Sequence, residues 1–163
     1  MPIRVLLTGG TIDNLEYSSV DKHPNNQKTI IPDLLETSRI SLDYIIEGVC
    51  FKDSKFLDDS DRELILSKCK QSREERIIIT HGTMTMPITA KFLGKHKLPK
   101  VIVLAGAAVP GNMANSDALF NLGLAFAAVQ LLPHGAYVTM NGKIFPWDNV
   151  KKNLDTGYFI AEK

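Results

Sequence analysis

The stretch Arg76-Ile77-Ile78-Ile79-Thr80, followed at once by His81-Gly82-Thr83, decides the fold. Its three consecutive isoleucines form a continuous β-branched run, which is typical of a strand buried on both faces of a parallel sheet. Similar runs occupy residues 3–8, which end in Gly9-Gly10, and residues 100–104, which end in Ala105-Gly106. Two further strands are predicted, one around residues 44–51 and one over residues 136–140, before an Asn141-Gly142 turn.

Helix signals lie between these strands and fix the fold class. Strands that alternate with helices form βαβ units with right-handed crossovers. We therefore expect residues 1–163 to form a single doubly wound α/β domain with a mainly parallel sheet, flavodoxin-like or Rossmann-like in size. Three helices are predicted, each from a capping residue or a first-turn proline: from Asp58 to about Cys69, from Met86 or Pro87 to a C-cap at Gly94, and from Ser116-Asp117 to about Leu132.

The composition argues against several classes of partner. The chain has 163 residues, of which 44% are hydrophobic, and its 19 basic and 18 acidic residues leave a net charge of +1. This balance argues against nucleic acid or an anionic membrane as the main partner. Cys50 and Cys69 form no CxxC pair, which argues against a zinc site or a disulfide framework. Residues 1–8 do not resemble a signal peptide, and the most apolar long stretch, residues 118–132, is too short for a bilayer, so a cytoplasmic protein is expected.

Turns rich in glycine and threonine follow the first, third and fourth predicted strands. Because ligands bind outside the carboxyl ends of parallel strands, we expect a site at this edge of the sheet. Each turn also has a plain structural interpretation: residues 8–11 as a tight turn, the threonines of residues 80–85 as strand ends and helix caps, and Asp53-Ser54 as turn chemistry. His81 alone is typical of a packed or capping histidine. The predicted helix over residues 117–132 is apolar on nearly all sides, which suggests a subunit interface.

Taken together, these segments resemble the L-asparaginase/glutaminase family. Residues 8–12, Thr-Gly-Gly-Thr-Ile, are similar to the family's T-G-G-T-I, and residues 80–86 are similar to its T-H-G-T-D-T-M. The resemblance continues through Asp53-Ser54, residues 103–110, Ser116-Asp117 with Asn121, and Met140-Asn141. It covers nearly the whole chain, but it matches only the family's amino-terminal domain. The resemblance therefore implies that residues 1–163 form an asparaginase-like domain without the usual carboxy-terminal domain.

The resemblance also implies roles for particular residues. Thr11 matches the nucleophile or first catalytic threonine, and Thr83 matches the second. Lys152 is placed by its spacing from Met140-Asn141 as the lysine that activates Thr83, with Lys151 left open beside it. Ser54 matches a residue that helps to hold the substrate α-carboxylate. Further positions implied are Tyr17, on a lid that closes over the nucleophile, and Asp53, Gly10, Gly82 and Met84 around the substrate.

Met84 is a serious departure from the family pattern. It stands where the family has an aspartate that orients the lysine relay and binds the substrate α-amino group, and methionine can do neither. Losing such a carboxylate from an acyl-transfer site can lower the rate by about 10⁴-fold. Ala105 and Ala108 are lesser departures, where the family often has a hydroxyl residue and a methionine.

The expected function is hydrolysis of a small amide, L-asparagine or else L-glutamine, to the acid and ammonia. The resemblance implies no metal or organic cofactor, and it implies a homodimer or a larger homo-oligomer. An alternative is a binding module that keeps a small-ligand pocket without useful turnover, for which Met84 is the main support. A nucleotide-binding domain is a third interpretation, but residues 8–11 lack the third glycine of that fingerprint.

Overall fold

A six-stranded sheet forms the centre of the computed structural model, which describes residues 1–13 and 28–163. The helices of four or more residues and the strands are Ile3–Leu7 (β1), Ile31–Thr37 (α1), Tyr44–Gly48 (β2), Asp59–Gln71 (α2), Arg76–Thr80 (β3), Met86–Lys95 (α3), Val101–Ala105 (β4), Ala118–Leu131 (α4), Gly135–Met140 (β5), Lys143–Pro146 (β6), Lys151–Lys152 (β7) and Phe159–Ile160 (β8). Short 3₁₀ turns cover Thr11–Asp13 and Ser54–Phe56.

The strand order, β2-β1-β3-β4-β5-β6, places the change of winding direction between β1 and β3. Strands β1 to β5 run parallel, and β6 returns antiparallel to β5. In sheets of this kind the crevice at the switch point is where ligands bind. The turns that follow β1 and β3 therefore meet at the position where a site is expected.

Helices cover both faces of the sheet and bury its central strands, β1, β3 and β4. Helices α1 and α4 pack with Val5, Leu7 and Val103 on one face, while α2 and α3 pack with Leu6 and Ile79 on the other. Neighbouring residues of one strand thus enter different cores, which explains why these strands read as continuous apolar runs. The expected doubly wound, mainly parallel α/β fold is confirmed. No helix within the described ranges has both the length and the apolarity to cross a bilayer.

Several predicted boundaries were wrong, each for a local reason. Strand β2 ends at Gly48 instead of near residue 51, because the backbone N–H groups of Val49 and Cys50 turn to the Leu7 carbonyl. Gly94 does not end α3 but lies inside it, where a Cβ would overlap the Trp147 ring. Asp117 does not cap α4 through its side chain, which accepts hydrogen bonds from the turn after β4 instead.

Candidate active site

Two glycines bring the turns after β1 and β3 into direct backbone contact. A Cβ on Gly10 would lie 2.5 Å from the Cα and N of Gly82, so only glycine fits there. Gly10 also has φ +89°, in the left-handed region that favours glycine. On its other side, a Cβ on Gly82 would lie 2.7 Å from the Oγ of Ser54. The turns after β1 and β3 and the Asp53-Ser54 segment after β2 therefore converge on Gly82.

The strand ends behind this contact are tied together by hydrogen bonds. Thr8 donates its hydroxyl to the Thr80 carbonyl at 2.7 Å, and the His81 N–H donates to the Ala105 carbonyl at 2.9 Å. His81 is fully buried, with Nδ1 2.7 Å from the Gly82 carbonyl and Nε2 2.9 Å from the Thr89 Oγ1. Burial, the largest effect, lowers its pKa to about 4. This neutral imidazole holds the Thr80–Thr83 turn against α3, so the structure favours the packed role for His81.

Thr83 and Lys152 form the chemically most suggestive pair of the site. The Lys152 Nζ donates to the Thr83 Oγ1 at 2.8 Å, across 69 residues of sequence. Thr83 is nearly buried, with 9% of its surface exposed. Desolvation lowers the pKa of Lys152, and the nearby charge of Asp53 offsets part of this shift. A lysine with a lowered pKa beside a hydroxyl is a suitable arrangement for moving a proton.

The β7–β8 hairpin positions Lys152, which is the one of the two candidate lysines that contacts Thr83. Lys152 pairs with Phe159, which is buried, and the side chain of Asn141 accepts the Phe159 N–H at 2.8 Å. Lys151, the alternative that the sequence left open, is exposed. Asn141 therefore anchors the hairpin that presents Lys152, a contact that neither the Asn-Gly turn nor the spacing from Met140-Asn141 to Lys152 predicted.

Ser54 joins the turn after β3 rather than facing solvent. It is fully buried, its carbonyl accepts the Thr85 hydroxyl at 2.7 Å, and its Oγ accepts the Thr85 N–H at 3.3 Å. Asp53 caps the 3₁₀ turn by accepting the Lys55 N–H at 3.1 Å. Thr85 is thus the residue that fixes Ser54, and the sequence interpretation, which treated it only as part of a motif, missed that link.

Met84 lies at the rim of the site. Its side chain is half exposed, and its Sδ is 3.7 Å from the Lys152 Nζ. A thioether is a weak hydrogen-bond acceptor without charge. Residue 84 therefore supplies no anion to Lys152.

Thr11 opens the 3₁₀ turn that follows Gly10 and is partly buried. Two residues later, Asp13 is fully buried and accepts the Thr29 hydroxyl and the Ile30 N–H, both at 2.7 Å. Burial raises the pKa of Asp13. Asp13 thereby joins the two ends of the segment 14–27, and Tyr17 lies in that segment, outside the described residues.

The turn after β4 lies at the same edge of the sheet, on the side of the β3 turn that is opposite to β1. A Cβ on Gly106 would overlap the His81 carbonyl oxygen, so glycine is required here too. The Nδ2 of Asn121 donates to the Gly106 carbonyl and to Asp117, both at 2.9 Å. Asn121 and Asp117, both part of the sequence resemblance, therefore hold a loop rather than face the Thr83–Lys152 pair.

Comparison with known proteins gives one consistent result. The family model described as "Asparaginase, N-terminal" matches residues 2–158. The chain is 31% identical over 98% of its length to a glutamyl-tRNA(Gln) amidotransferase subunit of Methanococcus vannielii, and 29% identical over 94% to a probable periplasmic L-asparaginase of Haemophilus influenzae. The solved structure of the thermostable L-asparaginase from Thermococcus kodakarensis superposes with a TM-score of 0.84, covering 99% of the chain at 26% identity.

These relatives are much longer than the chain. It spans 38% and 47% of the length of the two curated relatives, and 51% of the solved one.

Proposed function

This chain belongs to the asparaginase family, and we propose that it is an amidohydrolase that converts a small side-chain amide to a carboxylate and ammonia. L-Asparagine is the expected substrate by family, with L-glutamine beside it. The similarity to a protein named as an amidotransferase subunit supports the same chemistry, because both reactions mobilise an amide nitrogen. The observation that carries the proposal is the 2.8 Å contact between the Lys152 Nζ and the Thr83 Oγ1 at the carboxyl edge of the sheet.

The proposed reaction uses a threonine as nucleophile in two steps. The Thr11 Oγ attacks the amide carbon, and its proton passes through the Thr83 hydroxyl and the Lys152 amine to the amide nitrogen. The C–N bond then breaks, ammonia leaves, and an acyl ester remains on Thr11. Water attacks this ester, returns a proton to Thr11 by the same route, and releases the carboxylate.

Supporting groups have matching roles in this proposal. The backbone N–H groups of the turns around Gly10 and Gly82 would stabilise the oxyanion of the tetrahedral intermediate, each worth about 10²–10³ in rate. Ser54 would help to fix the substrate carboxylate, Asp53 would lie beside the substrate without contacting that carboxylate, and Tyr17 would close over the nucleophile. We further propose a homodimer or larger homo-oligomer in the cytoplasm, with no metal or organic cofactor in the reaction.

The test is ammonia release from a panel of small amides: L-asparagine, L-glutamine, N-acetyl-L-asparagine and succinamic acid. Lys152→Met and Thr11→Val should each lower kcat/KM by about 10²–10⁴, because each removes a group of the proton route or the nucleophile. Lys151→Met removes an exposed lysine and serves as the matched control. Since the pKa of Lys152 is lowered and its neutral form is the base, kcat/KM should rise with pH and level off below pH 10.5.

A binding module without turnover is the second candidate, and Met84 favours it because residue 84 supplies no anion to Lys152. In that case a panel amide raises the melting temperature, while ammonia release from every panel member stays at the level of the Lys152→Met variant. This pattern would contradict the amidohydrolase proposal.

A further inference from the structure

The rim residue Met84 determines which chemical group can lie beside Lys152. Because the Met84 Sδ is 3.7 Å from the Lys152 Nζ and Lys152 donates to Thr83, a substrate placed against this pair also contacts Met84. The side chain is half exposed, so it faces the open side of the site. Thioether sulfur offers polarisable apolar contact and no negative charge.

Within the described residues, the carboxylates of the turns at this edge are each hydrogen-bonded or buried, and one oxygen of the buried Asp13, Oδ2, has no partner. Asp53 is the acidic group whose charge acts on Lys152, and it accepts the Lys55 N–H while its Oδ2 lies 3.7 Å from the Lys55 Nζ. Asp13 is fully buried and accepts a hydrogen bond from the Thr29 hydroxyl. Asp117 accepts the backbone N–H groups of residues 108 and 109.

An ammonium group placed at this rim is therefore poorly matched. A cation that leaves water needs a carboxylate or several oxygen acceptors, and an unpaired one opposes binding. When Lys152 is protonated, its charge repels a second cation; when it is neutral, it still supplies no anion. An acyl group or a hydrogen in place of the ammonium meets the Met84 thioether without either penalty.

We propose that the site takes side-chain amides of dicarboxylic acids whose α-amino group is absent or acylated, with succinamic acid and N-acetyl-L-asparagine as the simplest examples, in preference to free L-asparagine. This rests on the proposed amide hydrolysis and refines its substrate class. Met84 is the specificity-determining residue, because it presents an apolar, uncharged side chain at the open side of the site beside Lys152.

The experiment compares kcat/KM for L-asparagine, N-acetyl-L-asparagine and succinamic acid in the full chain and in three Met84 variants. We expect the unmodified chain to prefer one of the two compounds without an ammonium group by about tenfold or more. Met84→Asp should restore an anion and shift the ratio toward L-asparagine by about tenfold or more. Asparagine in Met84→Asn has nearly the same shape as aspartate but no charge, and leucine in Met84→Leu is apolar like methionine. Neither variant should therefore shift the ratio.

The possible results separate this inference from the function on which it rests. Equal or better use of L-asparagine by the unmodified chain overturns the inference and leaves amide hydrolysis standing. An unchanged ratio in Met84→Asp, or the same shift in Met84→Asn, also overturns it, because the charge at residue 84 would not be the cause. If Met84→Asp is the only protein that releases ammonia, the inference is overturned. The result would then show that methionine at residue 84 disables an otherwise competent active site. Folded proteins that release ammonia from none of the three compounds overturn the proposed function as well.

Discussion

His81 shows how one buried side chain supports the active-site turn. Its Nδ1 faces the Gly82 carbonyl, which can only accept, so this nitrogen carries the hydrogen and Nε2 accepts from Thr89. Protonation would place a second hydrogen opposite the Thr89 hydroxyl in a fully buried position. Burial accordingly lowers the pKa of His81 from 6.5 to about 4.

This shift predicts a specific loss of stability in acid. Between pH 6.5 and pH 4 the unfolded chain binds a proton at His81 and the folded chain does not, so the free energy of unfolding falls as the pH falls. The full difference is on the order of 3 kcal/mol. Urea unfolding at a series of pH values should show this slope in the unmodified chain and a flatter one in His81→Asn, whose amide can still donate to Gly82.

The control for this measurement is His134→Asn, which removes an exposed histidine and should leave the slope unchanged. The comparison concerns slopes, so a uniform loss of stability in His81→Asn does not affect it. Equal slopes in the unmodified chain and in His81→Asn would show that His81 is protonated in the folded state.

At the level of single residues, the sequence predicted that Thr83 lies near a lysine around residue 152, and it missed other contacts of the site. Thr83 and a lysine near residue 152 followed from motif and spacing, but only the hairpin geometry selects Lys152, since two adjacent residues of a strand face opposite sides. The links from Thr85 to Ser54 and from Asn141 to Phe159 join residues 31 and 18 positions apart. A local pattern contains no signal for such contacts.

Glycines within helices test how packing overrides helix propensity. Replacing a helical glycine by alanine stabilises a helix by about 1 kcal/mol. In α4 a Cβ on Gly123 would meet nothing within 4 Å, so Gly123→Ala should raise stability by about 0.5–1 kcal/mol. In α3 a Cβ on Gly94 would overlap the Trp147 ring, and overpacking costs about 1–3 kcal/mol, so Gly94→Ala should lower stability.

Trp147 is the only tryptophan of the chain, which provides a direct readout for this pair of variants. Urea unfolding gives the two stability changes with opposite signs. The tryptophan emission of folded Gly94→Ala should shift relative to the unmodified chain, while that of Gly123→Ala should not. A stabilised Gly94→Ala variant with unchanged emission would contradict the packing seen between α3 and Trp147.

The elements that the sequence predicted are those with long apolar patterns, and the missed ones are short. Strands β1, β3, β4 and β5 and the helices α2, α3 and α4 each lie where a run or a cap indicated. Helix α1, with seven residues, has only Ile31 and Leu35 buried, too few to establish a helical period. The two-residue strands β7 and β8 exist because they pair with each other, and no local preference defines them.

For the whole molecule, topology explains why the site could be located before any contact was known. Parallel strands bring their carboxyl ends to one edge, so three glycine-containing turns far apart in sequence had to meet there. The topology does not predict which segment of the chain covers that edge. The hairpin that carries Lys152 comes after the antiparallel strand β6, an addition that the alternation of strands and helices does not predict.

The final prediction concerns the assembly of the protein through the outer face of α4. Leu119, Phe120 and Leu131 are 42%, 66% and 84% exposed, so one face of a helix that was predicted to be apolar on nearly all sides lies open. Burying these side chains in a two-fold dimer would contribute on the order of 8 kcal/mol. Association costs about 4–15 kcal/mol, so these contacts alone leave at most about 4 kcal/mol, which corresponds to a weak dimer with a Kd of about 1 mM that dissociates on dilution. Light scattering from about 10 to about 500 μM should show the mass rising from 18.1 kDa toward twice that value.

Phe120→Glu should keep the chain monomeric, whereas Leu154→Glu, at a 74% exposed leucine outside α4, should not. A monomer at every concentration, or equal dissociation by both variants, would rule out this helix as the interface.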